Sequence, residues 1–150
     1  MIREIFISSL GAFGGTVGFA YMLNAPRNTV LPASLTALLG YVLYFMLYRV
    51  AGQSLIFSYF FATVVISAIC EIEARMMRMP STIFLLSALV PLVPGYNFYC
   101  AMLALVEDKG AAAASSGMEA VQIVAAIAVG AAVSSVVFRA LTRRAASRRR

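Results

Sequence analysis

The chain has 150 residues, of which 62% are hydrophobic and 12% charged, and its mean hydropathy is +0.90. This composition is typical of integral membrane proteins and excludes an ordinary soluble domain. The formal net charge is +6, and the charges occur in short clusters between long apolar runs. The sequence has no histidine and no nucleophile paired with a base, so it predicts no enzyme, no catalytic residue, no metal site and no cofactor.

Five charge-free runs are each close to, or longer than, the roughly 20 residues that a helix needs to cross a bilayer. We therefore predict an all-α integral membrane protein with a single transmembrane domain. Its five predicted helices cover 5–24, 29–48, 54–72, 81–106 and 119–139, and a basic tail follows at 140–150. The first helix is expected to be retained, because its apolar run is longer than that of a cleaved signal peptide.

A stripe of small residues runs along the first helix. Gly11, Gly14, Gly15 and Gly18 follow one another at i, i+3, i+4 and i+7, which places them on one face. In lipid, such faces commonly serve as contacts between helices, because two backbones can approach closely there. Gly130 forms a similar face on the fifth helix. The sequence predicts helix packing at these glycines, either within the chain or against a second subunit.

The third helix ends with three charged residues. Glu71 and Arg75 are spaced i, i+4 in the favourable order, which predicts an interfacial ion pair that ends the helix. The same pair is a proton-coupling candidate, because a carboxylate partly withdrawn from water can exchange protons during transport. Glu73 faces about 200° away from Glu71 and is expected to be solvated. Cys70 and Cys100 are too few for a disulfide framework and are expected to pack against neighbours.

The fourth apolar run contains the segment Pro91-Leu92-Val93-Pro94-Gly95 near its midpoint. Each proline removes a backbone donor and clashes with the carbonyl four positions earlier, so a spanning helix must break there. A second half-helix that starts near Tyr96 would direct its unpaired amides and the positive end of its dipole into the membrane. Such an end suits a carboxylate.

This break predicts a solute pathway for a zwitterionic amino acid or a small carboxylate, and polar side chains beside it can add hydrogen bonds. The predicted pathway residues are Pro91, Pro94, Gly95, Tyr96, Asn97 and Tyr99. The alternative is a proline kink that only shapes the bundle. After the break, the Ala/Ser-rich stretch 111–117 can lengthen a neighbouring helix or form a flexible link, and we expect a spacer.

The distribution of basic residues predicts the orientation. With the C-terminus inside, the inner side holds nine of the twelve Lys and Arg residues, and the outer side holds three, Arg3, Arg49 and Lys109. This bias favours an N-out, C-in topology. We interpret the basic tail as an anchor against the anionic lipid of the inner leaflet, without a nucleic-acid partner, and Ser147 lies in a basic context open to phosphorylation.

Several motifs resemble the ThrE-type threonine/serine exporter family, and in particular the small subunit of its two-component members. They are Gly18-Phe19-Ala20, Asn24-Ala25-Pro26-Arg27, Glu71-x-x-Ala74-Arg75, Pro80-Ser81-Thr82-Ile83-Phe84, and Pro91-Leu92-Val93-Pro94-Gly95 with Tyr99. The resemblance covers 14–138. It implies export of small hydroxy amino acids across the bacterial inner membrane, driven by an ion gradient. It also implies a larger transmembrane partner subunit, in which a soluble domain precedes the spans.

With five spans in each subunit, the two halves would have opposite orientations, like the inverted repeats of other secondary transporters. We therefore expect a hetero-oligomer. Two alternatives stay open at this point. The same site can serve small dicarboxylates, or the chain can be a structural membrane subunit that transports nothing and stabilises its partner.

Overall fold

The computed structural model describes the backbone of residues 2–147 and the side chains of 3, 5–138 and 140. The described chain is all-helical, in agreement with the predicted fold class. The helices are α1 (Ile2–Met22), α2 (Arg27–Phe45, extended by a π-helical turn Met46–Val50), α3 (Leu55–Met77), α4 (Ser81–Leu89, followed by a 3-10 turn Val90–Leu92), α5 (Gly95–Val106) and α6 (Gly110–Ser147). The side chains of the basic tail from residue 141 onward, including that of Ser147, lie outside the described residues.

Four helices are long and apolar enough to cross a membrane, and a bent pair supplies a fifth span. The four are α1, α2 with its π-helical turn, α3, and α6 up to Phe138. In the fifth, α4 with its 3-10 turn and α5 meet at 53° across a short break. The predicted five-span architecture with a broken fourth span is therefore confirmed. Its N-out orientation stays a prediction.

Tight turns connect the helices and make consecutive spans antiparallel. Asn24, Arg78 and Asp108 adopt left-handed backbone conformations (φ 55°, 54° and 56°) immediately after α1, α3 and α5. In each turn the next amide closes the helix end; for example, the Met79 N–H donates to the Ala74 carbonyl at 2.9 Å. Pro26 and Pro80 then precede α2 and α4, where a residue without an amide proton costs no helical hydrogen bond.

α6 begins at Gly110, nine residues before its predicted start. The Ala/Ser-rich stretch 111–117 is therefore helical, and the expected spacer is absent from this part of the described chain. Alanine is the strongest helix former, which explains why the stretch continues the span that follows it. The extension also brings Glu119 inside a long apolar helix.

The core lies between α2, α3 and α4, and small residues dominate it. Its fully buried members are Ala33, Ala37, Ala62, Ile66, Cys70, Ala74, Phe84, Ala88 and Leu92. Small side chains allow the helices to approach closely: a Cβ added to Gly40 would overlap the Ile66 side chain. Cys70 is buried in this core, and Cys100 is partly exposed on α5.

Candidate functional site

The break between α4 and α5 follows directly from its prolines. After the 3-10 turn, Val93 is extended (φ −61°, ψ 129°) and Pro94 caps α5. A residue before proline is driven out of the helical region, so Val93 cannot continue the first half-helix. The Gly95 N–H donates to the Val93 carbonyl at 2.7 Å and closes the turn. The remaining amides of the first turn, those of Tyr96 and Asn97, have no acceptor within α5.

The predicted pathway residues separate into two environments. Pro94 is buried and Pro91 half-buried, so both belong to the interior side of the break. Tyr96 and Tyr99 are 78% and 62% exposed, and they lie on the outer surface of the chain. Asn97 lies between them, half-buried, with its side chain directed toward α6.

The Asn97 amide donates to a carboxylate that the sequence analysis did not include. Asn97 Nδ2 lies 2.9 Å from Glu119 Oε2. Because ionisable groups are rare within apolar spans and typically mark solute or ion pathways, Glu119 is a functional candidate. The signal for it in the sequence was the helix-forming Ala/Ser stretch before it, because this stretch moves Glu119 from the first residue of the predicted helix to a position within α6.

An open groove with a volume of about 340 Å³, called the cavity below, lies beside the break and reaches α1. Its lining residues are Ser8, Gly11, Ala12, Gly15, Tyr41, Val90 and Pro91. Gly11 and Gly15 lie close to the middle of α1, so the cavity is at about half depth in the bundle. Two of the four stripe glycines therefore line open space between helices.

The glycines predicted as packing positions differ in their surroundings. A Cβ added to Gly11, Gly14, Gly15 or Gly18 would meet no atom within 4 Å, so none of these four is in close helix contact within the described chain. A Cβ added to Gly130 would lie 2.9 Å from the Phe60 carbonyl oxygen and 3.2 Å from Thr63 Cβ. α6 and α3 thus approach closely at Gly130, whereas the α1 stripe is open.

A row of phenol groups extends from the cavity to α3. The ring of Tyr41, which lines the cavity, lies 6.0 Å from that of Tyr44, and Tyr44 lies 4.4 Å from Tyr59 on α3. These hydroxyl groups give the region between the cavity and α3 a polar side within an otherwise apolar bundle.

The charged residues at the end of α3 occupy positions that the sequence did not fully predict. Glu71 is half-buried, and the Arg75 guanidinium lies over the Phe138 ring, 4.9 Å from its centroid. The expectation that Glu73 is solvated is wrong. Glu73 Oε1 accepts a 2.6 Å hydrogen bond from Thr36 Oγ1, and Oε2 is buried. A helix-wheel angle separates Glu73 from Glu71, but it does not reveal that α2 covers the Glu73 face.

Within the described residues, no three His, Cys, Asp or Glu side chains are grouped so that they can hold a metal ion. The chemistry available at the break is therefore that of hydrogen bonding and charge. Helix amides and the Asn97 amide can donate to a carboxylate, and Glu119 and freed carbonyls can accept from an ammonium group.

The chain is similar to one known family and to a known bacterial protein. The sequence model of one family, described as "Threonine/Serine exporter, ThrE", matches residues 8–137. An uncharacterised protein of Haemophilus influenzae is 32% identical over 92 residues, which are 61% of this chain and 30% of that protein. The matched segment thus spans less than a third of this longer relative. No solved structure matches the chain.

Proposed function

The chain belongs to the threonine/serine exporter family, ThrE, and on that basis we propose that it is a subunit of a secondary transporter that exports small amino acids such as threonine and serine. The observation that carries the proposal is the cavity that opens beside the broken fourth span. A bilayer tolerates irregular backbone only where protein covers it or where it lines a water-filled space. The cavity supplies such a space at the break.

The groups around the break are complementary to an amino acid. The first turn of α5 offers amides and the positive end of a helix dipole, which favour the solute carboxylate. Glu119, held next to that turn by Asn97, offers the opposite charge for the ammonium group. The cavity has a volume of about 340 Å³. A small zwitterion fits this space, and the row of tyrosines offers hydroxyl groups to its side chain.

We further propose that the site is completed by a larger transmembrane subunit in the bacterial inner membrane. Two features support this. Tyr96 and Tyr99 present phenol groups at an uncovered surface next to the break. The Haemophilus relative is more than three times as long as the segment that matches this chain, so it has room for additional spans.

Efflux from preloaded cells tests the proposal. We expect Gly95→Leu and Asn97→Leu, introduced at the chromosomal locus of native cells, to abolish threonine and serine efflux. The first places a bulky side chain at the exposed start of α5, beside the break, and the second removes the amide that holds Glu119. The matched controls are Gly14→Leu, on the open face of α1 outside the cavity, and Asn28→Leu, exposed at the start of α2. Both controls should export normally.

The same cells distinguish the alternatives. Affinity capture of the tagged chain should retain its membrane partner in every variant, which shows that insertion and assembly are intact. A structural subunit would give a different result. Efflux would then fall only in variants that also lose partner capture, and Gly95→Leu and Asn97→Leu would have no separate effect on transport. If Gly95→Leu and Asn97→Leu kept threonine efflux but lost efflux of a four-carbon dicarboxylate, the site would be assigned to dicarboxylates instead.

A further inference from the structure

A carboxyl–hydroxyl pair connects α2 and α3. Thr36 Oγ1 donates to Glu73 Oε1 at 2.6 Å, and Thr36 is 1% exposed. A charged side chain within a membrane span is costly to retain, and such residues typically serve ion or proton movement. The solute site proposed above does not use this pair, so Glu73 needs a separate explanation.

The two oxygens of the Glu73 carboxyl group are not equivalent. Oε1 accepts the hydrogen bond of Thr36, whereas Oε2 is buried and has no hydrogen-bond partner among the described residues. Nearly all buried polar atoms in proteins are hydrogen-bonded. Among the described residues, four buried side-chain oxygens have no partner, and Glu73 Oε2 is the one that belongs to an ionisable group; the other three are hydroxyl oxygens of Ser9, Thr63 and Ser67. Because the Thr36 hydroxyl already uses its proton on Oε1, Oε2 is the position at which one further proton can add.

We infer that Glu73 is the carboxyl group that binds and releases the coupling proton of the exporter, an inference that rests on the proposed transport function. The proton adds to Oε2 from water on one side of the membrane and leaves to water on the other side after the chain changes conformation. This assigns the coupling role to Glu73 and not to the neighbouring pair Glu71 and Arg75.

The surroundings of Glu73 fit a site that is occupied by a proton and not by a fixed countercharge. On its own helix, the titratable neighbours are Cys70, Glu71 and Arg75, and Arg75 contacts Phe138 of α6. On α2, the charged residue is Arg27, nine residues before Thr36. α4 contains no titratable residue, and in the span of α6 up to Phe138 the acidic residue is Glu119, at the end near the break. Among the described residues, the Glu73 carboxyl group accepts a hydrogen bond from the Thr36 hydroxyl group.

α2 offers a mechanical link between the proton and the solute. Thr36, which holds Glu73, and Tyr41, which lines the cavity, are five residues apart on α2, about 7.5 Å along its axis. Adding a proton to the carboxylate weakens the charge-assisted hydrogen bond from Thr36. α2 contains Pro32 and ends in the π-helical turn Met46–Val50, and both features allow a helix to adjust its path.

The test uses native cells and membrane vesicles prepared from them, with each substitution at the chromosomal locus. An imposed difference of one pH unit shifts the accumulation ratio of a zwitterionic solute about tenfold if one proton is exchanged per solute. We expect this shift in wild-type vesicles and in Glu71→Gln, but not in Glu73→Gln. Threonine exchange across the membrane without net proton movement should persist in Glu73→Gln, because exchange requires no deprotonation step.

These outcomes separate the inference from the proposed function. A wild-type chain that neither exchanges nor exports threonine would overturn the proposed function. A tenfold pH response retained in Glu73→Gln, or lost in Glu71→Gln alone, would overturn the role of Glu73. A response to an imposed sodium gradient in place of the proton gradient would also overturn it.

A second pair of variants keeps the test decisive if Glu73→Gln fails to accumulate in the membrane. Thr36→Val removes the hydroxyl group and keeps the shape, whereas Thr36→Ser keeps the hydroxyl group. We expect Thr36→Val to move the pH dependence of threonine efflux and Thr36→Ser to leave it in place. Infrared difference spectra of the purified assembly supply a readout independent of transport. The carboxylic acid band that appears on acidification should weaken in Glu73→Gln, and an unchanged band would contradict the inference.

Discussion

Two regions of the molecule are packed in opposite ways. One is the interface that α3 forms with α2 and α6, and the other is the region around the break. At the interface, Gly40 and Gly130 allow direct approach of neighbouring helices, and α3 buries seven of its residues. Around the break, the α1 glycines face open space, and Ala104 is the buried residue of α5. Close packing fixes the first region, since interiors respond to a change of even one methylene group. The second region leaves room for a solute, a partner and movement.

The largest effect on folding is expected at Gly130. A leucine there would push α6 away from the α3 backbone, because the Phe60 carbonyl oxygen cannot move independently. Overpacking of this kind costs about 1–3 kcal/mol. Thermal unfolding of the detergent-solubilised chain should therefore show a clear loss of stability for Gly130→Leu and none for Gly14→Leu. Equal stability of the two variants would remove the distinction between the two regions.

Along α1, a large effect on transport without an effect on folding is expected at Gly15. Gly15→Leu fills the cavity beside Pro91, whereas Gly18→Leu, one turn further along the same helix, lies outside the lining residues. Efflux of threonine should fall at least about tenfold for the first variant, equivalent to roughly 1.4 kcal/mol, and change little for the second. If both variants lose efflux together with partner capture, the stripe is a subunit contact and not a cavity wall.

A smaller effect is expected for Glu119. Glu119→Gln keeps a hydrogen-bond acceptor for Asn97 and removes the charge that we assign to the solute ammonium group. The apparent affinity for threonine should weaken, while that for a carboxylate without an ammonium group should not. Competition of the two compounds for efflux measures this difference. Equal weakening for both compounds would show that Glu119 only positions Asn97.

The smallest effect is expected where α3 and α6 meet at the other end of the bundle. Phe138→Leu removes the ring beneath Arg75, a cation–π contact worth roughly 0.5–1 kcal/mol at exposed sites. Thermal stability should fall slightly, and efflux should not change. A marked loss of efflux with unchanged stability would extend the functional region to this end and weaken the contrast with the break.

Much of the fold was predictable, because long apolar runs and paired prolines act through local backbone chemistry. The broken fourth span follows from Pro91, Pro94 and Gly95 alone. Tertiary neighbours were not predictable in the same way. The environment of Glu73 depends on α2 covering it, and that of Glu119 depends on where α6 starts. Both carboxylates were therefore missed as candidates, and the pathway role predicted for the residues around the break stays a prediction.

The most direct test of the account is whether solute occupies the cavity beside the break. A single cysteine at Ser8, which lines the cavity, is introduced after Cys70 and Cys100 have been replaced by alanine, and its alkylation by a small aqueous maleimide is timed. A cysteine at the exposed Ser115 on α6 is the matched control. The account predicts that saturating threonine slows alkylation at position 8 and leaves that at position 115 unchanged. Alkylation at position 8 that threonine does not affect would contradict it.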